Sequence, residues 1–166
     1  MRRFLDTLYG AAGLLAGFCT IGVLVSVLAA ILARQFEWNI PGTDAYAGYF
    51  MAAAGFLSLA STFKHGEHIR VTLLLNSLKP GASRGLDIFA LAAGVLLAAA
   101  FAFFSVKLTL DSHTFNDVST SNDATPLWIP QLSMAIGTVL FFIALVDELV
   151  RRIRGHAAPT SQQTYE

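Results

Sequence analysis

The chain has 166 residues, 55% of them hydrophobic and 13% charged, with a mean hydropathy of +0.60 and no formal net charge. Soluble domains carry about 25% charge, so this balance points to a bilayer, leaves little chain for a soluble catalytic domain and gives no basic surface for a nucleic acid. The single cysteine, Cys19, excludes an internal disulfide and a multi-cysteine metal centre.

Four windows lack Asp, Glu, Lys and Arg: Tyr9–Ala33, Ala45–Phe63, Ile88–Val106 and Ala124–Val146. A helix needs roughly 20 apolar residues to cross the hydrocarbon, and lipid offers an exposed backbone no hydrogen-bond partner. The sequence therefore predicts an all-α membrane protein with four transmembrane helices, over about 8–33, 45–63, 86–107 and 128–150 of a domain covering 1–155.

The first span follows Arg2 and Arg3. It exceeds the 7–15 residues or so of a signal core and lacks an A-x-A site, so it reads as an uncleaved anchor. Pro41-Gly42 then marks a turn, with Thr43 or Asp44 as a cap for the second helix. Between the second and third spans, Ile69–Leu78 is apolar but too short to cross, and predicts a short interfacial helix. Pro80-Gly81 breaks the chain there, and Ser83 is the expected cap of the third helix. The polar link from Lys107 to Trp128 is long enough to imply a function or an extension of the third helix beyond the membrane. Pro130 suits the first turn of the fourth helix. The polar tail, 156–166, is expected to be disordered.

Charge gives the orientation. Both termini and the central link hold nine of the eleven basic residues; Arg34 and Lys107 lie on the other side. The positive-inside rule places both termini in the cytoplasm. The outer side carries Glu37, Asp44, Asp111, Asp117 and Asp123, and Trp38 and Trp128 fall near its interface.

None of the four windows holds an acidic or basic side chain, whereas ion pathways and proton relays usually need one. Small residues recur instead. Ala90, Gly94, Ala98 and Ala102 form a ridge on the third helix, and Gly13 and Gly17 a GxxxG on the first. Gly48, Ala52 and Gly55 share a face of the second, and Ser133 and Gly137 of the fourth. Such rows let helices approach closely, either within the bundle or against a partner. The Ala90–Ala102 ridge and Gly13–Gly17 are the first candidates for a partner. His65 and His68 read as an interfacial polar turn and Cys19 as a packing residue. No catalytic, cofactor or metal site is assigned.

Three stretches in this order resemble the small, DctQ-type membrane subunit of tripartite ATP-independent periplasmic (TRAP) transporters. In Leu57–Pro80 the second span runs into a basic-Gly-x-His-aliphatic pattern on Lys64, Gly66, His68, Ile69 and Val71. Leu32–Phe36 supplies Arg34 followed by an aromatic, and Thr125–Gly137 resembles the family's entry into its last span, with Pro130 and Gly137. The resemblance implies a non-enzymatic scaffold subunit of a sodium-coupled importer of organic acids in the bacterial inner membrane. The sodium ions would sit in a large membrane subunit, which this chain would brace among the lipids and which a periplasmic binding protein would supply. Asp111, Asp117 and Asp123 would be candidates for docking that binding protein. A haem-ligating membrane anchor of a redox enzyme and a small homo-oligomeric exporter remain as alternatives.

Overall fold

The computed structural model describes residues 2–38, 40, 42–64, 80–121 and 124–154. Within them lie four helices: α1 (Arg2–Gln35), α2 (Thr43–Lys64), α3 (Pro80–Thr114) and α4 (Trp128–Ile153). Three contain stretches long and apolar enough to cross a membrane: Thr7–Gln35, Gly85–Thr114 and Trp128–Ile153. The second window is helical too, but α2 holds only Leu57 and Leu59 as large aliphatics, with no Ile or Val, and carries Tyr46 and Tyr49, so composition alone does not mark it as a span. The expected helix over Ile69–Leu78, the pair His65 and His68, and the tail lie outside the described residues.

The ends of the helices follow from backbone hydrogen bonding. α1 closes with Glu37 at φ 56°, while the Trp38 N–H donates to the Ala33 carbonyl at 2.8 Å. α3 closes the same way: Asn116 has φ 53°, and the Asp117 and Asn116 N–H groups reach the Ser112 and His113 carbonyls. This wrap satisfies carbonyls that a helix end leaves without partners. α3 thus runs beyond its charge-free stretch, through Lys107 and Asp111, as the length of the outer link suggested.

Two expected caps move. Ser83 lies inside α3, which begins at Pro80 because a proline in the first turn has no N–H to leave unpaired. At α2, Thr43 and Asp44 already belong to the first turn. Gly42, at φ 85°, makes the entry and accepts from the Tyr46 N–H at 3.0 Å. Pro130 stands in the first turn of α4, as expected.

Side by side the helices run α1, α2, α4, α3, so the last helix in the chain sits between the second and the third. Tyr9 and Ala12 of α1, Ala60 of α2 and Leu140 and Ala144 of α4 form one buried cluster. Ala16, Ala53 and Leu57 form a second between α1 and α2, with Cys19 packed against it. α3 packs along α4, and its Phe101 ring reaches Phe56 of α2 at 5.9 Å.

Candidate partner interface

Glycines set the spacing between the helices. A Cβ at Gly137 would lie 2.4 Å from the Phe56 backbone oxygen, so α4 touches the α2 backbone only because that atom is missing. Gly22 lies under the Phe50 ring, and a Cβ at Gly13 would meet the Ser61 hydroxyl at 2.8 Å. Along α3, Ala98 and Ala102 are buried and Gly94 faces Leu145 of α4. Gly13 and most of the Ala90–Gly94–Ala98–Ala102 ridge therefore take part in packing within the chain, while Ala90 and Gly17 are exposed.

The open small-residue face is on α2. Gly48, Ala52 and Gly55 are exposed, nothing lies within 4 Å of a Cβ built at either glycine, and Met51 beside them is 70% exposed. α2 meets α1 and α4 with its other faces. The row was visible in the sequence, but spacing alone does not say which rows are covered. On the outer faces of α1 and α3 the exposed small residues, such as Gly17 and Ala93, stand among large side chains such as Phe18, Leu24, Phe89 and Leu96.

Polar groups tie α3 to α4 near both ends. At one end Arg152 of α4 pairs with Asp87 of α3 and, through Nε, with Glu148 at 3.0 Å, and Arg151 reaches Glu148 at 3.4 Å. The Arg152 side chain is only 15% exposed. Asp87 and Arg152 flank the charge-free stretches of helices that now prove to be antiparallel neighbours. Their positions at the two boundaries were the signal that could have paired them. At the other end the Thr109 hydroxyl donates to the Ser105 carbonyl at 2.9 Å and lies 3.3 Å from the Gln131 carbonyl. His113 meets Trp128 edge to face.

Beyond that end the chain makes a short bridged loop. Val118 pairs with Pro126, the Ser119 N–H donates to the Thr125 carbonyl, and the Leu127 N–H to the Asp117 carbonyl. The Thr125 hydroxyl reaches the Tyr46 hydroxyl at 3.4 Å, joining the loop to the start of α2. Asp111 and Asp117 are exposed on this end, and Arg34 is exposed in the last turn of α1. Asp123, Gly66 and His68 lie outside the described residues.

Residues 23–155 match the family described as Tripartite ATP-independent periplasmic transporters, DctQ component. The chain belongs to the DctQ family. A search of curated proteins finds no match. As a DctQ component the protein is part of a transporter, and its long apolar helices make it a multi-pass membrane protein. The matched region takes in α2, α3, α4 and the bridged loop, and leaves out only the first part of α1 and the tail.

Proposed function

We propose that this DctQ-family chain is the small scaffold subunit of a sodium-coupled importer of organic acids. On this reading it braces the static part of a large membrane subunit, which holds the substrate and the sodium ions and works with a periplasmic binding protein. The observation that carries the reading is the open face of α2. A helix meeting lipid gains from large apolar side chains, whereas Gly48, Ala52 and Gly55 offer lipid little and a neighbouring helix a close approach. α2 is about 33 Å long at 1.5 Å per residue, enough for a bilayer core of about 30 Å. Its place between α1 and α4 supports reading it as the fourth span. The basic residues then put both termini in the cytoplasm, in the inner membrane of a bacterium. The charge-free windows supply no acidic or basic side chain at mid-membrane to carry an acid across, and the Asp87–Arg152–Glu148 cluster lies at the helix ends, which fits a brace better than a pathway.

Co-purification tests this. The chain with Gly48→Leu and Gly55→Leu should retain its own fold, because nothing lies near either Cβ, and should bring down far less of the large subunit than the parent chain. Undiminished yield of the complex would remove the interface from α2. Ala90 and Gly17, the exposed members of the other two rows, are then tested next. Gly94→Leu is a poor probe, since its side chain would run into Leu145. The acidic outer end extends the proposal: neutralising Asp111, Asp117 and Asp123 together should weaken capture of the binding protein at low salt and matter less at high salt. Equal affinity at low salt would exclude that role.

A further inference from the structure

On α3 the face turned to α4 changes character along its length. Gly94, Ala98 and Ala102 give way to Ser105, Thr109 and Ser112, all three buried. Thr109 has its partners, but the Ser105 hydroxyl, in a residue only 2% exposed, has none. Across the seam the Gln131 side-chain oxygen Oε1 is also buried without a partner. The two residues lie close together, because their backbone carbonyls share the Thr109 hydroxyl at 2.9 and 3.3 Å. Leaving either polar atom dry forfeits its hydration without a replacement bond, and inside a lipid-facing bundle no bulk water relieves it.

We infer that a bound water molecule bridges Ser105 and Gln131 in the α3–α4 seam. It donates one hydrogen to Gln131 Oε1 and accepts the Ser105 O–H, so a donor without an acceptor and an acceptor without a donor are satisfied together. The small side chains on both sides of the seam, Ala102 on α3 and Ala135 on α4, suit a ligand of that size. The site makes α3 cohere to α4 through hydration in the half of the seam near Trp128, and through dry packing in the half that holds Gly94.

Water-to-protein polarisation transfer tests this in solid-state NMR of the full labelled chain in perdeuterated lipid. Ser105 and the Gln131 side chain should receive water magnetisation at short mixing times, with Ala98 and Ala102 receiving at least about two-fold less. Ser105→Ala should lower transfer to the Gln131 side chain at least about two-fold. Gln131→Met, which keeps the length and removes the acceptor, should lower transfer to Ser105 and gives a second reading if the first variant misfolds. A Ser105 as dark as Ala98 overturns the site; its hydroxyl then turns back to the Phe101 carbonyl. A bright Gln131 that ignores Ser105→Ala, or a bright Ser105 that ignores Gln131→Met, overturns the bridge.

Discussion

At Gly137 the absence of one methyl group decides how close two helices come. Gly137→Ala must push α4 off the Phe56 carbonyl, and overpacking of this kind costs about 1–3 kcal/mol. The thermal midpoint in detergent should fall, while Gly55→Ala, with open space around it, should leave the midpoint nearly unchanged. Glu37 and Asn116 offer the opposite experiment. Both hold the left-handed conformation that glycine adopts without a side-chain penalty. Glu37→Gly should therefore raise stability by up to about 1 kcal/mol, and Asn116→Gly by less, because asparagine tolerates that region better. Little of this could be read from the sequence. Gly137 stood out as one member of a short row with Ser133 and as part of the family pattern with Pro130, and neither distinguishes a contact of 2.4 Å from open space. The turns of α1 and α3 carry no glycine, and of their two left-handed residues only Asn116 is of a type that favours that region, so their closure left little composition signal.

Among the elements, α3 and α4 depend on a few polar groups. Removing Arg152 as Arg152→Leu takes the guanidinium from Asp87 at a partly buried site and leaves Glu148 paired with Arg151, and should destabilise the chain by about 1–3 kcal/mol. Asp87→Asn leaves Arg152 with Glu148 and should cost less. A double-mutant cycle in detergent measures the coupling; a value near zero would mean that the pair is incidental. The existence of all four helices was legible, because charge-free runs of this length have few other solutions in lipid. Their starts were less so. Thr43 and Ser83 are good capping residues by chemistry, yet Gly42 and Pro80 set the helix starts through backbone geometry.

For the whole molecule, the lateral order α1, α2, α4, α3 was not legible in the sequence, while the proposed sidedness rests on the placement of eleven basic residues. Each helix is apolar around most of its circumference, so no sequence period singles out a neighbour. The proposed topology has a direct check. In a chain with Cys19→Ala, a cysteine at position 117 should react with an impermeant maleimide added to intact cells, and one at position 154 only after lysis. Reaction at 154 in sealed cells would invert the assignment.

The lateral order also bears on synthesis. α1 and α2 can pair as soon as both have left the ribosome, but α3 emerges before the helix that covers its small-residue face. A polypeptide halted at Thr114 would carry the buried stripe of Ala98, Ala102, Ser105, Thr109 and Ser112 uncovered in the bilayer. Such nascent chains should be held by the insertion machinery or degraded, and maturation of this protein should wait on delivery of its final helix.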